Sequence, residues 1–187
     1  MNIKHILLAG LFAGISFAQA VEIPLKNSAF VAKADGSIID WYTLGKAPEA
    51  GTVSVVPYKD GKSAVKIAST TAKTYFGVWQ GGFKVKNFPR PAADEKLIVS
   101  MTFRQKNENV LDGGFVTFKF FSKKGYLMGR ETQRLSGTFD WSDRDVSVEF
   151  PNVPEETAFF TVNLFLGKTT GAVYFAEPKL FMEVVKK

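Results

Sequence analysis

Hydrophobic and polar positions alternate with period two along most of this chain, and no window keeps an apolar stripe at helical spacing over a useful length. The run Leu97-Ile98-Val99-Ser100-Met101-Thr102-Phe103-Arg104 is representative: Leu97, Val99, Met101 and Phe103 make one apolar face, while Ser100, Thr102 and Arg104 lie on the other. Further strands are predicted over 52–58, 63–69, 74–80, 114–122, 144–150, 157–166 and 171–177. Turn signals separate them at Asp60-Gly61, Asp112-Gly113-Gly114, Lys124-Gly125 and Gly167. About eight to ten short strands at such spacing predict an all-β antiparallel sandwich.

Two runs reveal both of their faces. In 115–121 the set Val116, Phe118 and Phe120 is wholly apolar and is expected to face the core, which turns Phe115, Thr117, Lys119 and Phe121 outward. In 159–166 the inner set is Phe160, Val162, Leu164 and Leu166, which leaves Phe159, Thr161, Asn163 and Phe165 outside. Aromatic rings among amides, hydroxyls and cations suit a sugar, whose C–H faces stack on rings while its hydroxyls bond polar groups. The same rings could instead pack under loops or under the N-terminal segment.

The first twenty residues add an address. Lys4 and His5 precede an apolar run from Ile6 to Phe17, and Ala18-Gln19-Ala20 supplies small residues for cleavage, so residues 1–20 are read as a secretory signal. The apolar run is shorter than the ~20 residues a membrane span needs. Removing it leaves residues 21–187 as one domain, with 23 basic against 18 acidic residues and a net charge of +5. That mild basicity favours acidic partners. The chain has no Cys, and its single His lies in the leader, so thiol chemistry, Ser-His-Asp catalysis and His or Cys zinc sites are excluded for the remainder. A secreted chain without disulfides points to a bacterial periplasm or exterior and to a core that needs no staples.

The order Asn27-Ser28-Ala29-Phe30, Asp35-Gly36 with Trp41, Asp60-Gly61-Lys62-Ser63-Ala64-Val65-Lys66-Ile67 and Phe76-Gly77-Val78-Trp79-Gln80 resembles the opening half of CenC-like carbohydrate-binding modules. Ser136-Gly137-Thr138-Phe139-Asp140-Trp141 and Gly171-Ala172-Val173-Tyr174-Phe175-Ala176-Glu177-Pro178-Lys179-Leu180 resemble the closing half. The resemblance implies a jelly-roll β-sandwich of the galactose-binding-like type with a glycan groove across a concave sheet. It places the groove aromatic near Tyr75, a polar groove residue on Asn163, and an aromatic-Arg region around Tyr126 to Arg130. Many members hold a structural calcium through acids that here are Val31 and Ala176, with Glu177 displaced by one, so no metal site is expected. Trp41 and Trp141 occupy places where the family keeps structural aromatics at strand starts, and both are expected in the core. Trp79 shares a face with Tyr75 and is left open between groove and core, because Gln80 would then point inward and need partners or a bulge.

Other functions fit less well. The acids Asp140, Asp143 and Asp145 are expected around a turn, as are Glu155 and Glu156, and none sits mid-strand beside the outward aromatics where a catalytic pair would work. The basic residues form no dense stripe for nucleic acid. The sequence therefore predicts a secreted, non-catalytic protein that binds a polysaccharide, an acidic one suiting the charge, without a cofactor. Its groove is expected from Tyr75, Trp79, Arg104, Lys119, Phe121, Tyr126, Arg130 and Asn163. A structural or protein-interaction jelly roll is the alternative, and a polysaccharide lyase or glycoside hydrolase a minor one.

Overall fold

The structure is a computed structural model that describes residues 20–44, 51–73, 75–84 and 89–187. The leader, apart from Ala20, and Thr74 of the strand expected at 74–80 lie outside the described residues. The described residues form ten strands: β1 Val21–Ile23, β2 Tyr42–Leu44, β3 Thr52–Pro57, β4 Ser63–Ser69, β5 Phe76–Lys84, β6 Glu95–Ser122, β7 Gly125–Glu131, β8 Leu135–Phe150, β9 Phe159–Leu166 and β10 Gly171–Lys186. Among the described residues these strands pair antiparallel throughout. The fold is a jelly-roll β-sandwich.

Strand β6 organises it. The two runs read as separate strands at 97–104 and 114–122 are one continuous element of 28 residues. Its first part pairs with β10 and β8, and its second with β9 and β7. The first sheet is therefore β3-β4-β10-β6-β8, with β1 also on β10, and the second is β2-β5-β9-β6-β7. Asp112-Gly113-Gly114 does not end the strand. Asn109 and Gly113 each take a positive φ of 54°, and the pairing with β8 slips repeatedly between Gln105 and Gly114, so irregular residues bend β6 from one sheet to the other.

The core lies between the sheets and follows the pleat. Val116, Phe118, Phe120, Val162 and Leu164 are fully buried, as expected, together with Leu97, Val99 and Met101. Phe160 is the hub of the aromatic part: Phe120 lies 5.0 Å away, Phe118 6.0 Å and Phe83 6.1 Å between ring centroids. Trp41 is buried against Phe30 at 5.3 Å. Trp141 departs from expectation. It stands half-buried on β8 and meets Tyr58 at 4.6 Å and Tyr174 at 6.1 Å, on the first sheet's outer face. Asp140, Asp143 and Asp145 likewise sit on β8 itself and not around a turn.

Gln80 resolves the ambiguity of β5. It is buried, its amide nitrogen donates to the carbonyls of Lys26 (2.6 Å) and Asp40 (3.3 Å), and its Oε1 accepts from the Lys26 amide at 2.8 Å. The β5–β9 register slips between Gln80 and Phe83. With Gln80 satisfied inside, Trp79 is turned outward.

Candidate functional site

The outward face of the second sheet carries most of the expected site. Strand register lays its residues in rows. Tyr42, Trp79, Asn163, Thr117 and Glu131 form one row across all five strands, and Leu44, Gly77, Phe165 and Phe115 form the next. Thr161, Lys119 and Gly129 make a third, and Phe159, Phe121 and Tyr126 a fourth, with Lys84 opposite Phe159.

Glycines let large side chains lie flat on this face. A Cβ at Gly77 would stand 2.7 Å from the Phe165 ring, one at Gly81 2.5 Å from the Trp79 indole, and one at Gly129 3.0 Å from the Lys119 stem. The floor is thus paved by the half-buried Trp79 and the aliphatic part of Lys119, with the Phe165 ring buried at 7% exposure against Tyr75. Asn163 lies beneath it at 3% exposure, its amide nitrogen donating to Thr117 O (3.2 Å), Thr117 Oγ1 (3.0 Å) and Thr161 Oγ1 (3.4 Å). Asn163 braces the two central strands instead of presenting its amide to a ligand.

Two aromatic clusters rise from the floor. At one end Tyr75, which immediately precedes β5, stands edge-on to Phe115 (5.9 Å) and Phe165 (6.3 Å) and is 40% exposed. At the other end Phe121 stacks parallel on Phe159 at 5.1 Å and meets Tyr126, 60% exposed, at 5.7 Å. On the β2 side Tyr42 and Trp79 lie 5.0 Å apart, with Tyr42 well exposed.

Arg134 ties the first cluster together. Its guanidinium lies 4.5 Å from the Phe115 ring and 5.2 Å from Tyr75, donates to Asp112 (2.8 and 3.0 Å), to the Tyr75 hydroxyl (3.0 Å) and to Glu131 (3.3 Å). The Tyr75 bond first, then Glu131 and Asp112, hold its pKa above the ordinary arginine value, so it is a permanent cation. Two lysines flank the same rings: Lys119 Nζ is 5.6 Å from the Phe165 centroid, and Lys168 Nζ 5.4 Å from that of Tyr75.

Two expected members are elsewhere. Arg104 belongs to the first-sheet part of β6. Its Nε lies 3.0 Å from Asp143 Oδ1, it donates to the Trp141 carbonyl at 3.0 Å, and it lines a cleft of about 460 Å³ with Asp145 and Glu177. The crossover of β6 sends its outward residues to opposite sides of the molecule. Arg130 pairs with the inward Phe118, whereas Tyr126 pairs with the outward Phe121. One extra residue in β7, between Tyr126 and Met128, reverses the alternation, so Arg130 is exposed on the other side of this edge strand. Glu177 does not await a cation, since Lys62 and Lys59 pair with it.

Arg134, Lys168 and Tyr42 are the members that sequence reasoning missed. Arg134 sits between two strands, Lys168 beyond the end of β9, and Tyr42 in a three-residue strand, so none falls in an alternating run. Phe115 and Phe165 were legible as outward rings from the pleat alone.

No protein-family model matches the chain, and no curated protein matches it. Solved structures do. The enzymatically active domain of bacteriophage CBA120 tailspike protein 4 superimposes with a TM-score of 0.58 at 12% identity, covering 86% of this chain and 21% of the tailspike chain. A Stig cyclase from Fischerella sp. TAU gives 0.55 at 14% identity, covering 88% of this chain and 98% of the cyclase. The chain thus spans about a fifth of the tailspike and nearly all of the cyclase. At such identities the likeness bears on the fold alone.

Proposed function

We propose that this chain is a secreted, non-catalytic carbohydrate-binding protein that lays a polysaccharide across the outward face of its second sheet. The observation that carries the reading is a single continuous face with exposed rings at its two ends, Tyr75 and Tyr126, and a third, Tyr42, at its side, over a floor flattened by Gly77, Gly81 and Gly129. Phe115 to Phe121 along β6 spans roughly 20 Å at the usual strand rise, room for several sugar rings in line. The carboxylates on this face, Asp112 and Glu131, are both engaged by Arg134, which supports binding over hydrolysis. A secreted address, which the N-terminal pattern suggests, suits a polysaccharide ligand.

A second reading, a protein-interaction jelly roll, is favoured by one observation: Thr117, Thr161 and Asn163 at the centre of the face are buried, and so are the rings of Phe115 and Phe165. A glycan array, followed by titration of the best polysaccharide against Tyr75→Ala and Tyr126→Ala, separates the two. Binding that both variants weaken supports the carbohydrate reading. A protein that retains no polysaccharide of any class belongs to the second.

A further inference from the structure

Carboxylates offset more of the charge on the first sheet's outer face than on the second's, although Lys66, 5.2 Å from the Tyr174 ring, has no ion-pair partner there among the described residues. On the first sheet Arg104 rests on Asp143, Lys106 on Glu108 at 3.1 Å, and Lys96 on Glu149 at 2.8 Å. On the second sheet Lys84, Lys119 and Lys168 have no carboxylate partner among the described residues. The two acids there, Asp112 and Glu131, are taken by Arg134. Three ammonium groups without an ion pair among the described residues therefore stand beside the aromatic floor. Two of them, Lys119 and Lys168, hold their charge over the rings of Phe165 and Tyr75.

We infer that the ligand of this face is an anionic polysaccharide, whose carboxylate or sulfate groups are received by Lys119 and Lys168 while a sugar ring stacks on Tyr75; this rests on the carbohydrate-binding reading above. A cation next to an aromatic ring fits an acidic sugar well. The ring takes the apolar C–H face, and the ammonium takes the charged substituent at the ring's edge. Lys168 and Lys84 are exposed and Lys119 is half-buried, so their attraction is reinforced by several charges along one polymer and weakened by salt at separations beyond the ~8 Å screening length of physiological ionic strength. Lys84, opposite Phe159, extends the same sign to the Phe121 and Tyr126 end. The polymer consequently meets positive charge at both ends of its path.

The test uses the purified protein with polygalacturonate, alginate and hyaluronate, each beside its carboxyl-reduced counterpart, and dextran beside dextran sulfate. Reduction keeps the ring and removes the charge. At least one acidic polymer should bind about tenfold more tightly than its reduced form, with Lys119→Gln and Lys168→Gln each removing roughly three- to fivefold for the acidic polymer only. Lys96→Gln, which removes one charge from the other sheet, should change nothing. Preference for dextran sulfate alone would assign the anion as sulfate instead of carboxylate. Equal binding of acidic and reduced forms, or an equal loss from Lys96→Gln, overturns this inference and leaves the carbohydrate reading intact. Failure of every polymer, charged and neutral, removes the carbohydrate reading itself.

Discussion

Truncating Tyr75 tests whether the outward aromatics work on a ligand or merely on each other. The ring is 40% exposed and touches Phe115 and Phe165 only edge-on, and its hydroxyl accepts one hydrogen bond from Arg134. Removing a fully buried large aromatic costs ~3–5 kcal/mol. With about three-fifths of the ring covered, the loss for Tyr75→Ala is ~2–3 kcal/mol, within the ~5–15 kcal/mol that a domain of this kind has to spend. At ~2–4 °C per kcal/mol for this length, the melting temperature should fall by about 5 to 10 °C. Binding should suffer more visibly. An aromatic anchor is worth ~2 kcal/mol or more, about thirtyfold in Kd. Tyr75→Phe keeps the ring and gives up only the hydroxyl, so its Kd should stay within about threefold, because Arg134 retains Asp112 and Glu131. Calorimetric titration with the best array polysaccharide, alongside thermal melts of both variants, reads the two quantities separately. A Tyr75→Ala protein that melts lower but binds with unchanged affinity would make Tyr75 a packing residue and refute the reasoning.

Further outcomes follow from other parts of the molecule. Phe118→Ala removes a fully buried ring stacked on Phe160 and should cost ~3–5 kcal/mol in denaturant unfolding, so an unchanged midpoint would mean the face is misassigned. Arg104→Ala and Arg130→Ala, which point away from the second sheet's outward face, should leave polysaccharide affinity unchanged in titration; a loss as large as that of Tyr75→Ala would return them to the site. Glu177 and Glu108 have pKa values lowered below the ordinary glutamate value, Glu177 chiefly by its bond from Lys62 and Glu108 chiefly by the Tyr174 hydroxyl. Their stabilisation is thus complete above the unfolded value of about 4.5 and is lost as the pH falls through the lower folded values, and thermal melts should show the loss shrinking in Glu177→Gln. Lys62 and Lys59 already supply Glu177 with positive charge, so EDTA should not shift the melting temperature, and a marked drop would bring Glu177 back as a metal ligand.

How far the sequence is legible depends on whether alternation runs unbroken. Where it does, as from Phe115 to Phe121 and from Phe159 to Leu166, each side chain can be assigned to a face. The buried Phe118, Phe160, Val162 and Leu164 and the outward Lys119 and Phe165 sit as the pleat requires. Parity fails where an extra or irregular residue enters the ladder, because a single insertion reverses every later position. Arg130, which the resemblance put in the groove, is turned to the other side by one such residue in β7. Gln80 gave warning of the slip in β5, since a buried amide on an apolar face demands a local break.

Arg104 was misplaced for a larger reason. Alternation says which side of its own strand a residue occupies, and not which sheet the strand belongs to at that point. Arg104 and Lys119 are both outward on β6, yet the bend around Asn109 and Gly113 places one over the first sheet and the other over the second. The residues of the bend, Asp112-Gly113-Gly114, read locally as a turn, and only the continued pairing with β8 and β9 reveals that the strand carries on. The same crossing builds the site. It brings Asp112 close enough to receive Arg134 from the β7–β8 link, and so fixes that guanidinium over Phe115 and beside Tyr75. The cation that organises the aromatic cluster is thus held by the one stretch of β6 whose pattern departs from a strand.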